Sequence, residues 1–286
     1  MRNLWRGILG IALAAMLAGC SSLVQRPLAD ALAQQGASPE DDPQLAREAA
    51  AFYLKLSESV LRNQPGHRAL ATSVSAGFTQ YTYAFVAFEA ERLENEQPRQ
   101  AKVLRERAAR LYDRAAQHAL RALEAESPGL RALLQQGRPV PLKAAQVELA
   151  YWAAASWAAA ISLRKGEPER VAELPAVLQL AKQADALAPQ LLDGSLASLL
   201  GTLEAARPNG SASVAAAYFA RAREAAKDRV SAVPLAEAEA LAAQDRARFE
   251  RLLREALAIA DRHPSLANTV MRDRALWLLD TLDDRF

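Results

Sequence analysis

The sequence predicts an all-α protein, an α-solenoid built from degenerate helical hairpins of the tetratricopeptide type. Half of its 286 residues are hydrophobic (51%), while glycine (12) and proline (14) are sparse, as expected for a helix-rich globular chain. From Leu45 onward apolar residues recur every three or four positions, the period of an amphipathic helix. No useful stretch shows the alternation of a strand. These observations favour paired antiparallel helices.

Proline and glycine divide this region into about ten predicted helices with short connections. The predicted breaks are Pro65–Gly66, Pro98, Pro128–Gly129, Pro139–Pro141, Gly166–Pro168, Pro189, Pro208–Gly210, Pro234 and Pro264.

The repeats are indicated by an aromatic residue followed seven positions later by alanine, a spacing that puts both on one helical face. Such a pair buries the ring and lets the next helix approach closely. The pairs are Tyr112 with Ala119, Tyr218 with Ala225, and Phe249 with Ala256; Ala184 marks a further unit. Because the units are unevenly spaced, a non-repeating alanine-rich bundle is the alternative.

Charge and motif content exclude several classes of function. The chain has 35 basic and 33 acidic residues, and without Arg2 and Arg6 it is neutral, which argues against nucleic-acid binding. One cysteine and three scattered histidines provide neither a disulfide framework nor a zinc site, so no metal is expected. The usual nucleophile, phosphate-loop and metalloprotease motifs are missing, and His67, His118 and His263 are predicted to be solvated or capping residues. We therefore expect no enzyme.

The N-terminus has the pattern of a lipoprotein signal peptide. Arg2 and Arg6 precede an apolar run, and Leu-Ala-Gly-Cys ends at Cys20. The run is shorter than the ~20 residues that span a bilayer, and the small residues before Cys20 suit a peptidase cleft. Residues 1–19 are therefore predicted to be removed and Cys20 to carry the lipid. We expect no cofactor other than this lipid. Ser21, which follows the lipid-bearing cysteine, favours anchoring in the outer membrane, with the protein facing the periplasm.

The chain after Cys20 is predicted to have two parts. Residues 20–44 are rich in proline, glycine and aspartate and indicate a tether to the lipid, with Leu28 and Leu32 compatible with one weak helix. Residues 45–286 form the helical domain.

Two aromatic stretches are candidates for ligand binding. Phe78, Tyr81, Phe85 and Phe88 fall on one face of a predicted helix, with Tyr83 to the side. Another helix carries Tyr151, Trp152 and Trp157 and is apolar nearly all round, so it should be covered on most sides. These rings could simply form core. Alternatively, some line a cleft: Tyr81, Tyr83, Tyr151 and Trp152 have a polar tip that suits this role, and Phe85 lies among them.

Several stretches together resemble one family, the TatT component of tripartite ATP-independent periplasmic (TRAP) transporters. They are Gln80–Val86, with the family's Tyr-x-x-Ala-Phe-Val pattern, Trp157–Leu163, Asp193–Leu203, Asp245–Leu253 and Arg274–Phe286. The linker Val230–Leu241 departs from the family because it lacks a tyrosine-containing block.

The resemblance implies a homotrimer of repeat domains in the bacterial envelope. Each subunit would have a cleft or pore, bind a periplasmic solute-binding protein, and pass a small hydrophobic or organic-acid ligand toward a permease. A lipid-anchored scaffold for outer-membrane or pilus assembly is the alternative. A third possibility is a peptidoglycan-cleaving enzyme with an α-superhelical body, but the sequence has no motif around a glutamate that would mark it as catalytic.

Overall fold

The computed structural model describes residues 26–34 and 42–286, and within these ranges every regular element is helical, which confirms the all-α prediction. The α-helices are α1 (26–34), α2 (Pro43–Asn63), α3 (Arg68–Thr82), α4 (Phe88–Arg92), α5 (Pro98–Glu126), α6 (Leu130–Gln135), α7 (Val147–Ser162), α8 (Pro168–Val171), α9 (Leu174–Leu187), α10 (Ser195–Ala206), α11 (Ala212–Ala226), α12 (Ala232–Leu241), α13 (Arg246–Arg262) and α14 (Leu266–Asp280). A π-helical segment, Tyr83–Ala87, joins α3 to α4, and 3₁₀ turns at Ala144–Gln146 and Leu191–Gly194 precede α7 and α10.

Most predicted breaks coincide with helix ends, for reasons visible in the backbone. Pro98 occupies the first position of α5, where the missing N–H costs no helical hydrogen bond, and His67 caps α3 by accepting from the Leu70 N–H. The break at Pro234 was wrong. This proline is the third residue of α12, still within the first turn, where no intrahelical donor is needed.

The helix α7 lies at the centre of the packing, as its all-round apolar surface predicts. It contacts α3, α5, α9 and α10, and most of its side chains belong to the largest core cluster. Consecutive helices pack against one another along the rest of the chain, including the pairs α10 with α11, α12 with α13, and α13 with α14. The solenoid arrangement remains a prediction.

The predicted aromatic–alanine pairs are buried on α5 and α13 but are shifted on α11. Tyr112 with Ala119 and Phe249 with Ala256 are at most 3% exposed. On α11 the fully buried ring is Phe219, not Tyr218, which is partly exposed. The Phe219 ring lies directly over Gly201 of α10, where an added Cβ would come within 2.9 Å of it. A glycine therefore allows the close approach of these helices.

The segment predicted as a tether contains α1, which packs against the domain. Ala29 and Leu32 belong to the main core, and the Tyr53 hydroxyl donates a hydrogen bond to the Leu32 carbonyl. Residues 1–25 and 35–41, including the predicted signal peptide and Cys20, lie outside the described residues. Within the described ranges, no helix has the length and apolarity needed to cross a membrane.

The prediction that His118 is solvated or capping was wrong, because this residue is buried at the interface of α2 and α5. Its Nε2 atom lies 2.9 Å from Oε1 of Glu58, a carboxylate that is only 3% exposed and is also bound by Arg114. Burial would raise the pKa of Glu58, but hydrogen bonds from Arg114, His118 and Lys55 outweigh it and hold that pKa at about 2. Burial lowers the pKa of His118, although Glu58 opposes this effect.

Both shifts predict that the protein loses stability in acid. Each group binds more protons in the unfolded chain, so its contribution is present above its unfolded pKa and falls as the pH drops toward its folded pKa. The free energy of unfolding should therefore decrease below pH 6.5 through His118, and between pH 4.5 and about 2 through Glu58. Denaturant titrations across this pH range measure the free energy of unfolding.

Glu58→Gln should lower the free energy of unfolding by about 2–3 kcal/mol at neutral pH and should flatten its dependence on pH below pH 4.5. If the free energy of unfolding of this variant fell with pH as steeply as that of the unchanged protein, the role given to Glu58 would be contradicted.

Candidate functional site

A cavity of about 560 Å³ lies between α10 and α12. Tyr83 of the π-helical segment, Tyr151 of α7 and Met271 of α14 complete its wall. Its size is within the usual range for small-molecule sites, which are typically apolar with a few polar groups. The residues from α10 and α12 and the turn before it are Ser195, Ser198, Leu199, Thr202, Ala205, Ala206, Val230, Ala232, Val233, Leu235, Ala236, Glu239 and Ala240.

The cavity forms because α10 and α12 present faces of small side chains to each other. On α10 the lining residues recur with helical spacing, from Ser195 through Thr202 to Ala206, while the opposite face packs against α11. On α12 the lining includes Ala232, Ala236 and Ala240. Alanine and serine leave space between two helices that larger residues would close.

The π-helical segment positions Tyr83. Its backbone hydrogen bonds span five residues instead of the four of an α-helix, which rotates the residues after it, so the predicted four-ring stripe does not face a single neighbour. Phe78, before the segment, packs against His118 and Arg114 of α5, whereas Phe88, after it, contacts Trp277 of α14. The prediction of one continuous aromatic face on an α-helix was therefore wrong. Tyr83 lies at the beginning of the segment and reaches the cavity.

A buried arginine supports one end of the cavity. Arg274 of α14 has a side chain that is 8% exposed, and its guanidinium binds Glu239 at 2.6 and 3.3 Å. The same group lies 2.9 Å from Glu91 of α4 and about 5.5 Å from the ring centres of Tyr83 and Phe88 (5.6 and 5.4 Å). This single cation therefore joins three helices and the π-helical segment.

The two tyrosines at the cavity are neutral hydroxyl groups. The Tyr83 hydroxyl donates to Sδ of Met271 at 3.7 Å. Burial raises the pKa of Tyr83 above its usual range, against the opposing charge of Arg274. Burial likewise raises the pKa of Tyr151, opposed by a hydrogen bond with Ser195. Both phenols therefore stay protonated at neutral pH and can donate hydrogen bonds.

The structure brings only two of the five predicted ligand residues to this cavity. Tyr83 and Tyr151 line it, although they are far apart in sequence. Trp152 is outside the lining but contacts the ring of Tyr151 edge-on, with ring centres 4.8 Å apart. Tyr81 and Phe85 contact each other edge-on at 5.5 Å, and Tyr81 packs into the core clusters.

The α12 wall is not predicted from the sequence, because Val230–Leu241 has the pattern of a linker. This segment is instead the helix α12, which contributes Glu239 and the alanines. Its start is fixed by Asn268 of α14, whose side-chain oxygen accepts from the Ser231 N–H and hydroxyl and whose amide donates to the Arg229 carbonyl. A low-aromatic, alanine-rich stretch gave no signal of a site.

The fold and cavity define a class of protein: an all-helical protein with a cavity of small-molecule size between two of its helices. Comparison with known families makes this specific. Residues 39–286 match the family described as TAtT, TRAP transporter T-component. The chain belongs to this family, as its motifs suggested, and its role is in TRAP transport.

A curated relative comes from Treponema pallidum (strain Nichols), where it is described as an uncharacterized protein. It is 27% identical over 262 residues, which cover 86% of this chain and 81% of the relative. The similarity therefore extends over more than four fifths of both proteins.

Proposed function

We propose that this chain is a non-catalytic, lipid-anchored accessory of a TRAP uptake system that holds a small, largely apolar ligand between α10 and α12. The observation that carries the proposal is the cavity of about 560 Å³ with its alanine, leucine, valine and methionine lining. Family membership supports the role in transport. Hydroxyl groups of Tyr83 and Tyr151 would orient the ligand.

The anchor is proposed from the Leu-Ala-Gly-Cys motif at Cys20. Several acyl chains on one residue, at about 0.8 kcal/mol per buried methylene, give stable attachment without a spanning helix. Outer-membrane anchoring would place the domain in the periplasm. There it could meet the periplasmic solute-binding protein that we propose as its partner, as a homotrimer by analogy with the family.

One purification tests the anchor and the partner together. The protein is extracted from the envelope of its own bacterium after brief cross-linking. Mass spectrometry should find an N-terminal peptide that begins at Cys20 and carries acyl mass, together with a solute-binding protein encoded beside a multi-spanning permease. An intact Met1 would contradict the anchor. Enrichment of outer-membrane assembly or pilus proteins in place of the solute-binding protein would favour the scaffold alternative.

A further inference from the structure

The cavity contains an uneven distribution of charge. Among the described residues that line it, Glu239 is the one with a formal charge; the other polar groups are hydroxyls of tyrosine, serine and threonine. The cation that pairs with Glu239, Arg274, is 8% exposed and is not part of the lining. The described lining therefore contains one acidic residue, which is paired with Arg274, and several hydroxyl-bearing residues, with no basic residue among them.

Arg274 does not neutralise this end of the cavity, because it is shared. Its guanidinium binds both Glu239 and Glu91, so the three side chains carry a net charge of −1. Two further contacts, with the rings of Tyr83 and Phe88, hold the guanidinium in place. Freeing it for an incoming carboxylate would require breaking a buried ion pair, which is costly.

We propose, on the basis of the ligand-binding function above, that the cavity selects an apolar molecule whose polar end is a hydrogen-bond donor or a cation and discriminates against carboxylates. The physical reason is that a second anion near Glu239 would be repelled in a partly desolvated site, whereas a hydroxyl, amine or quaternary ammonium would be attracted.

Three probes with the same decyl chain test this selectivity: decan-1-ol, decyltrimethylammonium and decanoate. Binding is measured by calorimetry at neutral pH and low probe concentration. The protein is the mature chain, residues 20–286, with Cys20→Ser so that only the lipid is left out. We expect the alcohol and the ammonium to bind more tightly than decanoate by on the order of tenfold.

Two variants connect the preference to the charge. Glu239→Gln removes the lining carboxylate and leaves Arg274 paired with Glu91, so decanoate should bind about as well as the other probes. Glu91→Gln leaves Arg274 paired with Glu239 alone and makes the same change of net charge, so it should also reduce the preference. Circular dichroism and thermal unfolding are used to check that each variant is folded.

The outcomes separate this inference from the function on which it rests. Decanoate binding to the unchanged chain as tightly as decan-1-ol would overturn the selectivity but leave the ligand site intact. A preference that survives Glu239→Gln unchanged would also overturn it. Failure of all three probes to bind would contradict the proposed function as well.

Discussion

Replacing Arg274 by methionine is expected to destabilise the fold by roughly 3–5 kcal/mol, a larger loss than that expected for Glu58→Gln. The side chain is 8% exposed and is the shared partner of Glu91 and Glu239. Methionine would fill much of its volume but leave two carboxylates close together without a cation. Chemical denaturation monitored by circular dichroism measures the loss.

Arg272→Met is the matched control, since it lies on the same helix and also pairs with an acid. Its partner is Asp261, and both side chains are largely exposed (44% and 62%). Exposed pairs contribute about 1 kcal/mol or less, so this variant should unfold close to the unchanged protein. Equal effects of the two substitutions would contradict the role assigned to Arg274.

The all-α class and most helix ends could be predicted because they depend on local chemistry. Helical periodicity from Leu45 onward, and proline or glycine at the breaks, act within a few residues of their effect. The exceptions follow from the same rule. Pro234 fits the first turn of α12 as well as it fits a break, and the π-helical segment at Tyr83–Ala87 rotates the rings that follow in a way that their spacing does not reveal.

The site could be predicted only in part, because it depends on which helices meet. Tyr83 and Tyr151 were recognisable as aromatic residues with a polar tip, and both line the cavity. Glu239 looked like one of many surface acids, and its pairing with Arg274 joins positions 35 residues apart. His118 was misassigned for a similar reason: its partner Glu58 lies 60 residues earlier in the chain.

The second large effect is expected from filling the cavity. Ala236 of α12 lines it and is only partly buried, so an indole in Ala236→Trp would extend into the open space rather than into the packed core. We expect at least a tenfold loss of bound ligand. The cost in stability should stay within the roughly 1–3 kcal/mol typical of overpacking.

Ala216→Trp provides the control, because Ala216 is an exposed residue of α11 outside the cavity lining. This variant also replaces an alanine of a helix by tryptophan, but on the protein surface and outside the cavity. Its ligand content and thermal unfolding should match those of the unchanged protein.

Mass spectrometry of the small molecules released by these proteins, each purified from the envelope of the native bacterium, tests ligand binding between α10 and α12 most directly. We predict one apolar compound in stoichiometric amount from the unchanged chain and from Ala216→Trp, and its loss from Ala236→Trp. Equal amounts from all three, or no compound from any of them, would contradict the account.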